Sequence, residues 1–449
     1  MEKINLDLIL ANLRASLEHN QVDAAIHLLE SLRVPDRADL FSELDEKDQA
    51  TLLPNLKPAS SADILEELED QEAAKLVRSL PTATAIRIVT EMEPDEAADL
   101  LGSIQPLQAE TILAGLDDPD EVRPLLLHPE DTAGGLMTSE FLALRRRMTT
   151  TEALKAIHEW KPEIETIYYL FVVDRYEKLC GVVNLRQLIV SEPSTLMLDI
   201  MDPDVISVQA GTDQEEVARI MSRYDLVTLP VVNTNNVLLG VITIDDVIEV
   251  IEDEATEDIQ RLGGAEPLEL PYLDTSSLGV VRKRIGWLLL LFLTESLTGT
   301  VLRYFEDELQ AVVALSFFIP LLIGTGGNAG SQTTSTLIRA LAVGDIDLGD
   351  ALRALWHELR VGLMLGFGMG IVAYGRALLW GTDAHLAITI ALAIFTIVVW
   401  ANGLGAVLPL FAARMKIDPT VVSGPVMSTL VDATGLFIYF TIARAIIGL

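Results

Sequence analysis

One cysteine, Cys180, stands among 449 residues. That excludes an intramolecular disulfide framework and any cysteine metal cluster, and leaves Cys180 to be read as a core thiol. Positive charge is scarce too: 32 Lys and Arg face 66 Asp and Glu, a formal net charge of -34. So acidic a surface repels nucleic acid phosphates, and repels itself unless counter-ions screen it. No nucleic acid partner is expected; divalent cations are. A histidine-rich ligand set, a P-loop, a kinase motif set and a nucleophile elbow are also missing, so no enzyme chemistry is assigned. The opening MEKINLDLILANLRASLEHN spreads charge through its apolar positions and lacks the unbroken apolar core of a secretory signal. The N-terminal region is expected to stay in the cytosol.

The acidity is local. From Ser276 to Leu449 eleven Lys and Arg balance eleven Asp and Glu, so the whole excess lies in the first 275 residues. The length predicts about three domains, and composition divides the chain into 1–130, 131–258, a connecting helix at 259–281, and 282–449.

In the first region a motif recurs every twelve residues: Ala62-Asp63-Ile64-Leu65, Ala74-Lys75-Leu76-Val77, Ile86-Arg87-Ile88-Val89, Ala98-Asp99-Leu100-Leu101 and Glu110-Thr111-Ile112-Leu113. A fixed period of this kind predicts short stacked helices sharing one apolar seam, an all-α repeat domain. Turns such as Glu93-Pro94-Asp95-Glu96 punctuate it. A second repeat pairs Phe171-Val172-Val173-Asp174 and Gly181-Val182-Val183-Asn184 with Pro230-Val231-Val232-Asn233 and Gly240-Val241-Ile242-Thr243, 59 residues on. Two β-branched runs flank a polar turn and a helix follows, so each copy is an α/β unit. The two resemble tandem CBS sensor modules.

Apolar runs at 285–305, 309–338, 355–380, 385–413 and 419–447 are each long enough to cross a bilayer, giving a five-helix α transmembrane domain. Arg282, Lys283, Arg284, Arg339, Arg353, Arg360, Arg414 and Lys416 favour one side, against Arg303, Arg376 and Arg444. The bias predicts N-terminal domains inside and the C-terminus outside.

Asp432 lies in the last run with no basic residue near it in sequence. An isolated intramembrane carboxylate normally faces a polar cavity; the other reading is a structural acid satisfied by Thr429, Thr434 or an arginine of another span. In the second run, Pro320 and Gly324-Thr325-Gly326-Gly327-Asn328-Ala329-Gly330-Ser331-Gln332 are expected to break the helix at membrane depth. The break would expose carbonyls beside Asn328 and Gln332. Small-residue helix packing is the alternative. Neutral oxygens with few carboxylates suit a largely hydrated hard ion such as Mg2+, which dehydrates reluctantly, and leave Mn2+, Co2+ and Ca2+ open. In the soluble region acids cluster at Asp213-Gln214-Glu215-Glu216, Asp225, Asp245-Asp246 and Glu249 to Asp258. Helical spacing puts Glu254 with Asp258, and Asp95 with Asp99, on common faces. Such faces repel unless cations bridge them.

Taken together, the chain resembles the MgtE family of magnesium channels. The resemblance runs nearly end to end and rests on Ala133-Gly134-Gly135-Leu136-Met137-Thr138, Glu165-Thr166-Ile167-Tyr168-Tyr169, Glu254-Ala255-Thr256-Glu257-Asp258-Ile259, the Gly327 to Gln332 run and the last-span aspartate. It implies a homodimer in a cell membrane. Its pore would be lined by spans two and five, with Gly324, Gly327, Asn328, Gln332 and Gly435 on the path. Permeant Mg2+ would sit at Asp432, with Asp418 near the inner mouth. It implies regulatory Mg2+ at Asp63, Asp95, Asp99, the Gly135 backbone, Asp213, Glu215, Asp225, Asp246, Glu249, Glu254, Glu257 and Asp258, closing the channel when cytosolic Mg2+ is high. It also implies ATP as a modulator: Thr243 and Asp246 match a ribose-contacting pattern, whereas Asn184 and Gln187 depart from it in the first module.

Two other functions remain. A proton-coupled divalent-cation carrier would use Asp432 as a proton relay, against which stands the lack of evident paired acids or histidines in the spans. A non-transporting sensor would need an output domain, and none is evident.

Overall fold

The structure is a computed structural model that describes residues 6–160, 169–268, 272–273 and 275–448. The motif residues Glu165 to Tyr168 lie outside the described residues. Four helices open the first unit, Met1–Glu252: α1 (Leu6–Glu18), α2 (Val22–Glu30), α3 (Val34–Ser42) and α4 (Glu46–Leu52). Then α5 (Pro58–Glu66), α6 (Asp70–Ser79), α7 (Thr82–Val89), α8 (Pro94–Gly102) and α9 (Pro106–Leu113) each start twelve residues after the last, before a short α10 (Pro119–Val122). Proline opens α5, α8 and α9 where the missing amide would be unbonded anyway. Helices this short are marginal alone. They hold because equivalent positions of every copy, Ile64-Leu65, Leu76-Val77, Ile88-Val89, Leu100-Leu101 and Ile112-Leu113, are buried in one seam.

Two modules follow. In the first, β1 (Ala143–Arg145) runs parallel to β2 (Tyr169–Val173), which pairs antiparallel with β3 (Leu179–Asn184). Helix α11 (Thr150–Trp160) links β1 to β2, and α12 (Leu185–Val190) and α13 (Met197–Ile200) follow. The second repeats the plan with β4 (Val208–Gln209), α14 (Gln214–Tyr224), β5 (Thr228–Val232), β6 (Leu238–Thr243) and α15 (Ile244–Leu262). Glu177 and Asn236, at equivalent points of the two hairpins, share a left-handed φ of 62° and 64°. Cys180 is only partly buried, its thiol 3.3 Å from the Val172 carbonyl.

No separate connecting helix spans 259–281: α15 has already begun at Ile244, and it ends at Leu262. Nothing between Ile244 and Leu262 breaks a helix, whereas Gly263 and Gly264, the latter at φ 74°, do.

The second unit, Asp253–Leu449, contains five helices long and apolar enough to cross a membrane. They are α16 (Ser277–Tyr304), then after a short α17 (Glu306–Ala311) α18 (Ile319–Ala342), α19 (Ala351–Leu379), α20 (Ala384–Arg414) and α21 (Gly424–Ile447). In the last turn of α21, Arg444 pairs with Glu308, which is 6% exposed, and stacks 5.4 Å over Phe305.

The expected break in span two is absent, since α18 is one continuous helix from Ile319 to Ala342. Its glycines instead let neighbours approach: a Cβ on Gly326 would fall 2.5 Å from Ile397, and one on Gly330 2.7 Å from Met427. Packing replaces the side-chain contacts glycine lacks, so the helix holds. Gly405 of α20 is less forgiving, because its Cβ would lie 2.7 Å from the Gly330 carbonyl oxygen, and backbone cannot swing aside. Gly405→Ala is therefore expected to cost roughly 1–3 kcal/mol, read as a lower melting temperature of the detergent-solubilised protein.

Candidate functional site

Asp432 sits about two turns into α21. Among the described residues it has no hydrogen bond or ion pair. The two threonines that could have satisfied it are engaged elsewhere: Thr429 donates to the Pro425 carbonyl at 3.0 Å, and Thr434 donates to Leu430 at 2.7 Å while accepting from Trp400 Nε1 at 3.0 Å. Helix α18 packs against α21, with Ser331 Oγ donating to the Gly424 carbonyl at 3.2 Å. Gly324, Asn328 and Gln332, with Ser335 and Arg339 beyond them, recur every three or four residues and form one exposed face of α18. Gly327 and Gly435 do not join that face. Both are buried in helix contacts, Gly327 with its Cβ direction 3.1 Å from Ser428 Oγ and Gly435 3.5 Å from Ile397. Lacking side chains, they fill the closest approaches of three packed helices.

Sequence reading missed Glu295, an exposed acid of α16 that is near enough to Asp432 to repel it. The two are far apart in the chain, and only the packing of α16 on α21 joins them.

Asp418 lies in the loop between α20 and α21. It accepts from the Thr420 amide at 2.8 Å and hydroxyl at 2.6 Å, and pairs with Arg261, which also pairs with Glu257. Burial acts upward on its carboxyl, yet Thr420 and the guanidinium together hold it below the usual range. Asp258 beside it is pushed up, by burial first and then by Asp418 and Glu257. Asp418 and Glu257, both expected as metal ligands, thus share a protein cation. Removing that cation restores the negative potential of the loop. Arg261→Gln is expected to lower the half-saturating Mg2+ concentration for flux severalfold, read in a liposome assay.

The strongest clustering lies in the first unit. Glu93, Asp95, Glu96 and Asp99, at and after the start of α8, all feel Asp246 at the start of α15. Burial, then Asp246 and Glu93, pushes Asp95 well above the usual carboxylate range; its side chain is 7% exposed and its Oδ1 has no partner. Burial, then Asp95 and Asp99, takes Glu96 up to about 10. Burial, then Glu66, takes Glu93 to about 7, and burial, then Asp70 and Glu130, takes Asp99 to about 7. Asp246 is raised to about 6, mainly by burial. Of the expected regulatory residues, then, Asp95, Asp99 and Asp246 come together. Glu93 and Glu96 join them; the sequence had shown that stretch as a turn.

The others are placed differently. Asp63 is held by Arg37 at 2.8 Å, because a guanidinium buried to 7% exposure needs a counter-charge. Asp213 is exposed and caps α14, accepting from the Glu215 amide at 3.0 Å; Glu215, Glu249 and Asp225, the last at φ 52°, are exposed as well. Glu254 is half-buried on α15. Gly135 forms a turn so tight that a Cβ would fall 2.5 Å from the Pro129 oxygen. Among the described residues no three acids, histidines or cysteines converge enough to hold a bare metal ion.

Thr243 lines a groove of about 430 Å³ with Thr138, Phe141, Trp160 and Tyr169. Its hydroxyl donates to Asp246 at 2.6 Å, but Asp246 itself belongs to the acid cluster and not to the groove lining.

Among the described residues, a repeat domain, two α/β modules and five long apolar helices, one of them bearing an unpartnered carboxylate, define a multi-pass membrane transporter. Residues 319–442 match the family described as a divalent cation transporter, 32–131 the MgtE intracellular N domain, and 133–192 and 197–253 the CBS domain. The magnesium transporter MgtE of Thermus thermophilus is 44% identical over 327 residues, which are 73% of this chain and 72% of that protein. That of Bacillus subtilis is 35% identical over 326 residues, with the same shares. The chain belongs to the MgtE family, and like these relatives it is a transporter rather than an enzyme. Its soluble part is similar to a crystal structure of the soluble part of a magnesium transporter, at 34% identity and TM-score 0.50 over 56% of this chain and all of that one. It is also similar to the cytosolic domain of the Mg2+ channel MgtE in complex with ATP, at 37% identity and TM-score 0.51 over 54% of this chain and 99% of that one.

Proposed function

We propose that this protein imports Mg2+ along a path past Asp432, and that Mg2+ bound at the acid cluster of its cytosolic region closes that path. One observation carries the reading: a carboxylate without a partner among the described residues, at membrane depth, on a helix packed against α18, whose exposed polar face bears Asn328 and Gln332. Because α18 is continuous, its backbone carbonyls are engaged in the helix, and the neutral oxygens come from those amide side chains. Mg2+ gives up water reluctantly, so a largely hydrated ion passes one carboxylate and a few neutral groups. In a homodimer with two-fold symmetry, two copies of Asp432 would face one axis.

Closure follows from charge. Asp95, Asp99, Asp246, Glu93 and Glu96 repel while ionised, and bound Mg2+ favours the state that brings them together only as far as it binds that state better. With no three of them converging on one point, the ion would be held by one or two carboxylates and its own waters. The unpartnered Oδ1 of buried Asp95 fits such a site. Exposed Asp213, Glu215, Asp225 and Glu249 would serve further ions, and Glu254, Glu257 and Asp258 extend the acid face along α15. The aromatic rings lining the groove at Thr243 offer a surface for a purine, and the similar cytosolic domain is known in complex with ATP. The Lys and Arg bias places the N-terminal domains in the cytosol and the C-terminus outside.

The test is Mg2+ influx into liposomes holding a fluorescent indicator, at symmetric pH, with internal Mg2+ varied. Influx that falls as internal Mg2+ rises supports both halves of the reading. Influx that requires a proton gradient moves the protein to the carrier class, with Asp432 as the proton relay.

A further inference from the structure

Glu295 is exposed on α16, and its level in the membrane is set by the groove between α16 and α21. Leu297 lines this groove of about 990 Å³ with Ala433 and Thr434; one turn on, Thr300 and Val301 line it with Phe437. Two residues earlier on both helices, the same register sets Glu295 level with Asp432. Neither carboxylate has a hydrogen bond or ion pair among the described residues, and the two repel each other.

Thr298 supplies an independent sign. It lies one turn beyond Glu295 and is 7% exposed, on a helix otherwise little buried that packs on α21. Thr294, Ser296 and Thr300 each donate to a carbonyl about one turn back, at 2.9 to 3.2 Å. That is the usual outlet for a hydroxyl on a membrane helix. Thr298 does not use it, and its buried Oγ1 has no partner. The hydroxyl makes no bond to its own backbone, and it lies one turn from Glu295 on a helix that packs on α21.

Two mutually repelling carboxylates at one level of neighbouring membrane helices are eased by a cation near both or a proton on one. A free hydroxyl beside them adds a neutral oxygen, and hard divalent ions take oxygen ligands. We propose that Glu295, Asp432 and Thr298 form one site for a divalent cation, with Glu295 adding negative charge beside Asp432. The proposal rests on the reading of Asp432 as part of the cation path.

The experiment uses the full chain in liposomes at symmetric pH, with Mg2+ as the probe, comparing Glu295→Gln, Glu295→Asp and Asp432→Asn. Glu295 is exposed, so its replacements leave helix packing intact. Glu295→Gln is expected to raise the half-saturating Mg2+ concentration about tenfold, and Glu295→Asp to restore most of that loss. A Glu295→Gln protein with the wild-type half-saturation overturns the two-carboxylate site. So does one in which only the pH profile of influx moves, which assigns Glu295 to a proton. If Asp432→Asn blocks influx in those cases, the reading of Asp432 stands and this proposal alone falls; full influx through Asp432→Asn overturns both.

Discussion

Asp432→Asn and Asp432→Ala are each expected to cut Mg2+ influx by a factor on the order of one hundred or more, while the protein stays folded and monodisperse. The factor follows from the bond lost: a charged group's interaction with a cation at ~3 kcal/mol corresponds to roughly two decades of rate or occupancy. Folding survives because nothing in the packing depends on the carboxylate: Thr429 and Thr434 are bonded elsewhere, and no arginine reaches it. A structural aspartate would behave in the opposite way, since its removal would strand a buried partner and lower the melting temperature with the flux. Asparagine keeps the shape and a neutral oxygen and removes only the charge, so a residual flux in Asn above that in Ala measures what the oxygen alone contributes.

The helical repeat was legible because its period is local: helices beginning at Pro58, Asp70, Thr82, Pro94 and Pro106 write their spacing into the chain. The two hairpins were legible from β-branched runs, but β1 and β4, three and two residues long, are too short to carry alternation. Glycine in span two was ambiguous for a physical reason. It exposes backbone when nothing packs on it and permits close packing when something does, and only Ile397, Met427 and Val431 decide between the two. At the site, Asp432 was visible as a charge in an apolar run. Its neighbour Glu295 was not, because pairing depends on the register of two helices separated by most of the membrane domain. In the same way Asp63 shared its repeat position with Asp99, and only the fold gave it Arg37.

Neutralising the acid cluster is expected to reproduce without Mg2+ what Mg2+ does. In the presence of a chelator, Asp95→Asn with Asp246→Asn should raise the hydrogen-exchange protection of α8 and of the start of α15 toward the level of the Mg2+-loaded wild type. The variant should also conduct less, whatever the internal Mg2+. Protons should act in the same direction. Asp99 and Glu93, raised to about 7, and Asp246, raised to about 6, hold protons in the folded state that the unfolded chain releases near its ordinary pKa of about 4. Stability linked to these groups is therefore fully present below about pH 4 and is lost as pH rises through 6 to 7. For Asp99 alone the loss is on the order of 4 kcal/mol. Glu96, raised to about 10, stays protonated in the folded state across this range while the unfolded chain ionises it, so its linked stability also falls steadily as pH rises. Chelated wild type should thus lose protection at α8 between about pH 5.5 and 8, whereas saturating Mg2+ should flatten the dependence by holding the same carboxylates ionised and screened. A pH dependence that Mg2+ leaves untouched would mean that the ion binds elsewhere. A chelated profile that is flat would mean that the cluster opens to water, in which case its repulsion is too weak to drive the gate.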